Sequence, residues 1–207
     1  MAKSFFDKIS EQFKSSNRDP LSKEALGWFE SKRRELRPKF ERSDGVIRDQ
    51  ILKDAKRRRQ LLLHGRFYMF FYNPKGKANL PYWDRFPLIY LIKTYKNGSF
   101  LGLNFHYVDY NTRALFLSNS MKWANNRPLQ ENSKLLLHYP TMKKSRKYKA
   151  YRAMIKRYDP KYIHSQIIRV PGDEWEIAIH LPVERFRQAN KRQVWIRSRR
   201  LFMRANP

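Results

Sequence analysis

Pro87-Leu-Ile-Tyr-Leu-Ile-Lys-Thr-Tyr-Lys-Asn-Gly-Ser-Phe-Leu-Gly-Leu-Asn-Phe-His-Tyr-Val108 consists of two β-rich runs on either side of the dipeptide Asn97-Gly98. Such a pair is the strongest short-range hairpin signal, because Asn and Gly accept the positive φ that a tight turn demands. Just upstream, Arg66-Phe-Tyr-Met-Phe-Phe-Tyr-Asn-Pro74 is short, aromatic and bounded by Gly65 and by Asn-Pro, which predicts a third strand. Residues 66–108 therefore read as a small antiparallel sheet, with Phe67, Tyr68, Phe70, Phe71 and Tyr72 in its core. The same aromatics could form a stacking platform for unpaired bases, but the Arg/Lys-Gly-Phe/Tyr-Gly-Phe pattern of RNA-recognition sheets does not accompany them.

Outward from this sheet the period changes to helical. Phe5, Ile9 and Phe13 fall at i, i+4 and i+8, one apolar stripe on a helix from Ser4 to Lys14. A second helix starts at the N-cap Ser22, with Leu21 and Leu26 placed for a hydrophobic staple, and Pro38 ends or interrupts it. Ile47, Ile51 and Ala55 mark a third, from Ser43 or Asp44 to about His64.

C-terminal to the hairpin, Asp109 or Asn111 caps a helix running towards Trp123, and Lys144 to Arg157 reads as another. Tyr162 to Val170 and Trp175 to Leu181 alternate around Pro171-Gly172-Asp173, which predicts a second hairpin. Pro182 suits the first position of a basic amphipathic helix reaching about Arg200. The expected fold class is α+β: a small antiparallel sheet of two hairpins with helices packed on it. Residues 1–64 form a helical N-terminal region suited to docking on a partner, and 65–207 an α+β basic domain.

Charge is the loudest compositional feature: 45 Lys+Arg against 18 Asp+Glu, a formal net of +27 over 207 residues. So large an excess repels itself unless a polyanion neutralises it, which makes nucleic acid the first candidate partner. The excess is uneven. Residues 1–30 carry five basic and five acidic side chains, whereas 31–66 carry 13 against 5 and 141–207 carry 18 against 5. Lys53, Lys56, Arg57, Arg58 and Arg59 form one dense group, Lys143, Lys144, Arg146 and Lys147 a second, and Arg192, Arg197, Arg199 and Arg200 a third. These are the expected phosphate contacts to double-stranded DNA, the plainer alternative being solvated helix faces. Contacts of this class position a protein without reading bases.

Several function classes are disfavoured. The chain has no cysteine, so disulfides, thiolate metal sites and cysteine nucleophiles are out. His64, His106, His138, His164 and His180 fall at no metal-ligand spacing, and seven glycines make phosphate-cradling loops improbable, so no metal, cofactor or small-molecule substrate is expected. No apolar run is long enough for a signal peptide or a membrane span, which predicts a soluble protein with no membrane partner, either intracellular or part of a particle assembled inside a cell. A metal-dependent nuclease would need convergent carboxylates. Asp173, Glu174 and Glu176 are the one dense acidic cluster, and strand alternation would put Glu174 and Glu176 on one face, yet a solvated turn explains them as well. The expectation is a protein that is not an enzyme.

Three stretches carry a resemblance. Tyr72-Asn-Pro-Lys-Gly-Lys with Leu80-Pro-Tyr-Trp-Asp-Arg-Phe-Pro-Leu88, then Gly98-Ser-Phe-Leu-Gly-Leu-Asn-Phe-His-Tyr107, and Asp173-Glu-Trp-Glu-Ile-Ala-Ile-His-Leu-Pro-Val-Glu-Arg-Phe186 resemble virion proteins of T-even-like contractile-tailed bacteriophages. The resemblance spans about residues 65–190. It implies a place in the phage particle among other virion proteins. The DNA end protector class, which coats the termini of packaged DNA against host exonuclease, is nearest in kind to a basic, cysteine-free chain. It would act at the genome end or the head-tail passage. Head-completion, neck, tail and baseplate-hub proteins are alternatives from the same setting, their basic surface meeting protein neighbours instead.

Overall fold

Asn97 and Gly98 make the expected turn, and Gly98 takes a φ of +79° there. Gly98 N donates to Tyr95 O at 2.9 Å, and Asn97 Oδ1 accepts from both Ser99 N and Ser99 Oγ. The turn joins β3 (Leu88–Thr94) to β4 (Phe100–Asn104), with a bulge between Leu91 and Lys93. The computed structural model describes residues 5–16, 22–42, 46–124 and 152–205. In chain order the remaining elements are α1 (Phe5–Lys14), α2 (Lys23–Arg42), α3 (Val46–Leu52), β1 (Phe67–Met69), β2 (Trp83–Asp84), α4 (Tyr110–Ala124), β5 (Ile155–Tyr158), β6 (Ile168–Val170), α5 (Trp175–His180), β7 (Phe186–Arg187) and α6 (Lys191–Ala205).

The architecture is α+β. One sheet runs in the order β5-β4-β3-β1-β6, every neighbouring pair antiparallel, and a two-stranded sheet pairs β2 with β7. Both faces of the large sheet are buried. Phe67, Met69, Leu88, Tyr90 and Leu103 pack on one side with Phe29 of α2, Phe116 of α4 and Ile177 of α5. Tyr68, Phe70, Tyr72, Ile89, Leu91, Phe100 and Tyr158 form a second cluster, covered by Leu62, Tyr162, Ile163 and Ile167 from irregular segments. Of the aromatic set, Phe67, Tyr68, Phe70 and Tyr72 are buried and Phe71 is half-buried, the core assignment. With two covered faces the strands lose the polar alternation of a half-exposed sheet.

The N-terminal helices share the first core. Ile9 and Phe13 of α1 and Ala25, Phe29, Leu36 and Phe40 of α2 are all buried in it. Ser22 caps α2 as expected, its Oγ accepting from Ala25 N at 3.0 Å, whereas Leu21 lies outside the described residues. Pro38 does not end α2, which continues to Arg42. Leu36 and Phe40, buried on either side of it, hold the last turns on the core and offset the backbone bond that proline forfeits.

Four further expectations are corrected. The third helix stops at Leu52 instead of His64: Asp54 caps a 3-10 turn at Ala55–Arg57, and the chain then runs beside β6, with Arg59 N donating to Ile167 O. Of the helix expected over Lys144 to Arg157, the described part is a 3-10 turn (Arg152–Met154) leading into strand β5, which pairs with β4. The second hairpin is absent. β6 pairs with β1 across about a hundred residues of chain, and Trp175–His180 is helix α5, buried at Trp175, Ile177, Ala178, Ile179 and His180. Finally, the C-terminal helix begins at Lys191 and not near Pro182. Its start is a reciprocal cap in which Asn190 Oδ1 accepts from Gln193 N and Gln193 Oε1 from Asn190 N.

Candidate nucleic-acid interface

The sequence-predicted cations separate into distinct positions. Lys53, Lys56, Arg58 and Arg59 are exposed on the turn and extended segment flanking β6, where Arg58 bridges to Ile168. Arg59 uses its guanidinium on the carbonyls of Lys56 and Arg58, which stiffens the turn. Arg57 is not among the exposed ones. It is buried in a bidentate pair with Glu174 and also bonds Asp54 Oδ2 at 2.6 Å. Burial alone would lower its pKa, but the two carboxylates outweigh that and hold it charged. Arg57 therefore holds the protein together and has no donor face for a phosphate.

Packed against the turn that follows β4, α6 turns Val194 and Ser198 inward and leaves Arg192, Arg197, Arg199 and Arg200 exposed. Trp195 Nε1 donates to His106 O at 2.9 Å, which fixes the helix against the end of β4. Arg199 lies 3.6 Å from Asp109, and Arg197 sits over the Tyr82 ring at 5.7 Å. Among the described residues the predicted contacts thus form two groups on different elements, one on the segment beside β6 and one on α6. Lys143, Lys144, Arg146 and Lys147 lie outside the described residues.

Next to α6 is a feature that sequence reading missed. An open pocket of about 250 Å³ is lined by Tyr72, Tyr82, Trp83, Tyr107, Lys156 and Arg157, among others. Lys156 Nζ lies 4.1 Å from the Tyr107 ring centre, and burial lowers its pKa to about 8. Arg157 is held by Ser99 Oγ at 2.9 Å and covers the Tyr95 ring. Beneath the pocket, the fully buried Asp84 accepts from His106 Nδ1 at 2.6 Å, from Asn104 Nδ2 at 3.2 Å and from the backbone N–H groups of Phe86 and Arg185. Burial pushes the Asp84 carboxyl up, but His106 and those donors outweigh it, so its pKa is lowered and the carboxylate is ionised. Lys156 and Arg157 went unrecognised because Arg152 to Arg157 read as the end of a helix. The strand brings them beside aromatics that lie about 50 to 80 residues away in sequence.

Among the described residues the three acidic side chains of the cluster do not converge. Asp173 is exposed and 3.6 Å from Lys14, Glu174 is consumed by Arg57, and Glu176 lies on α5 and not on the strand that would have aligned it with Glu174. Among the described residues no three His, Asp or Glu side chains are grouped to hold a metal, and no helix is long and apolar enough to cross a membrane.

Fold and surface together define a strongly basic α+β protein with an aromatic core and two exposed cationic groups. A family model described as the phage T4 terminal DNA protecting protein matches residues 30–202, and the chain belongs to that family. Among the T-even-like virion proteins that the three stretches resemble, the family is thus that of the T4-like DNA end protectors. The matched span takes in most of α2 and all of α3, further than the 65–190 covered by the resemblance. No curated protein and no solved structure matches the chain.

Proposed function

We propose that the protein protects the end of packaged phage DNA by gripping the duplex through its phosphate backbone, without reading sequence and without chemistry of its own. The observation that carries this reading is the exposed Arg192, Arg197, Arg199 and Arg200 row on a helix whose other side is anchored by Val194 and Ser198. Lys53, Lys56, Arg58 and Arg59 supply a second grip beside β6. Lys143, Lys144, Arg146 and Lys147 belong to the same proposal on charge alone. Family membership supports the role at DNA termini and fits a place in the virion, and contact with other virion proteins there belongs to the same proposal.

Gel-shift titration of linear and closed circular DNA over a salt series, paired with exonuclease digestion, tests the reading. If six to ten phosphates are engaged, affinity falls by about 10³ to 10⁵ between 50 and 200 mM salt. Linear ends should be shielded in the same range. A salt-insensitive complex, or none, overturns it and favours a structural neck, tail or baseplate role in which the cations meet an acidic protein.

A further inference from the structure

Gripping phosphates explains affinity for DNA but not for its ends, since every stretch of duplex offers the same backbone. What an end offers in addition is a terminal nucleotide whose base has one face uncovered by a neighbour. Reading it requires an aromatic surface to stack on and a cation for the adjoining phosphate. The pocket beside α6 has both. Tyr82 and Trp83 are half-exposed at its wall, and the ring of Tyr82 is backed by Tyr107, 5.8 Å away, and by Phe186. Two cations lie beside these rings, Lys156 Nζ 4.1 Å from the centre of Tyr107 and the Arg197 guanidinium 5.7 Å from that of Tyr82. The Trp83 indole N–H, buried in the same wall, has no hydrogen-bond partner among the described residues.

We propose that this pocket is the end-recognition site: it takes one terminal nucleotide, with Tyr82 as the stacking surface and Lys156 at its phosphate. The inference rests on the end-protection reading above and assigns its specificity to a place. A volume of about 250 Å³ suits a single nucleotide and excludes a duplex segment, being just below the roughly 300–1,000 Å³ of drug-sized sites. The floor is rigid, because Asp84, Asn104 and His106 are locked to one another and to the backbone. The Lys156 ammonium is poorly solvated, with a pKa of about 8, and an incoming phosphate relieves the cost of its charge.

The test uses the full chain with three DNAs of one sequence: linear with free ends, linear with both ends closed by hairpins, and a closed circle. Wild type should protect free ends, and hairpin-closed DNA should compete no better than the circle. Tyr82→Ala should weaken end protection by about tenfold, the scale of one lost base stack, while its affinity for the circle and its salt dependence stay at wild-type values. Tyr82→Trp, which keeps a stacking surface, should retain protection and rule out misfolding as the cause. A 2-aminopurine placed at the terminus should be quenched by wild type and by Tyr82→Trp but not by Tyr82→Ala. Undiminished protection by Tyr82→Ala, or equal competition by hairpin-closed and free ends, overturns the pocket while leaving backbone binding intact. A wild-type protein that binds none of the three DNAs overturns both readings.

Discussion

Arg57 lies between Lys56 and Arg58 in the chain, yet its guanidinium is buried between Asp54 and Glu174 while its neighbours face solvent. Nothing local distinguishes the three, because the partner that draws Arg57 inward is 117 residues away. Removing one member of a buried pair leaves the other charged and unpaired. Arg57→Ala should therefore lower stability by about 3–5 kcal/mol in urea unfolding, and Arg58→Ala by no more than about 0.5 kcal/mol. A second residue-scale expectation concerns acid. His180, stacked on Phe29 at 4.4 Å and beside Arg33, is lowered to about 3 by burial and by the Arg33 and Arg113 charges. Burial raises the Glu184 carboxyl, but Arg113 and Lys191 outweigh it and bring it to about 2. Both folded values lie below the unfolded ones, so the unfolded chain binds more protons and stability falls as pH falls. The His180 contribution is complete above about 6.5 and drains away towards pH 3, and that of Glu184 is lost between about 4.5 and 2. The melting temperature should be level near neutrality and decline from about pH 6, with His180→Phe removing the upper part of the decline.

Elements whose signals are local were legible in the sequence, and those completed by distant chain were not. The Asn97-Gly98 hairpin, the Ser22 cap and the Asp109 cap, whose Oδ1 accepts from Thr112 N, each rest on contacts within a few residues. Strands β5 and β6 are four and three residues long and acquire their identity from β4 and β1. Trp175-Glu-Ile-Ala-Ile-His180 alternates as a strand would, but a helix buried almost all round has no polar face to reveal its period. The pocket was illegible for the same reason, since its walls come from three separate parts of the chain. On α6 the expectation is electrostatic. Replacing Arg192, Arg197, Arg199 and Arg200 by Ala together should reduce the slope of log affinity against log salt by about 3 to 4, near 0.9 per phosphate. Unfolding of the free protein should change little, because these side chains are exposed. A slope equal to that of wild type would take α6 out of the contact.

For the molecule as a whole, the two cationic groups lie on different elements, one beside β6 and one on α6. Independent sites with no shared partner contribute additively. Alanine at Lys53, Lys56, Arg58 and Arg59 should lower the salt slope by about as much as the α6 replacement. The combined variant should lose the sum, a result that filter binding against salt would show. A combined loss no larger than either single loss would mean that only one group touches DNA. The strand order β5-β4-β3-β1-β6 also has a kinetic consequence. Residues 67–104 can form the middle three strands early, but the cover for Tyr68 and Phe70 comes in good part from Tyr162, Ile163 and Ile167, made some sixty residues later. At about 5–20 residues per second of synthesis, that aromatic face waits roughly 3 to 12 seconds for its cover. The slow step in making this protein is expected to be the return of residues 155–170 to both edges of a sheet already in place.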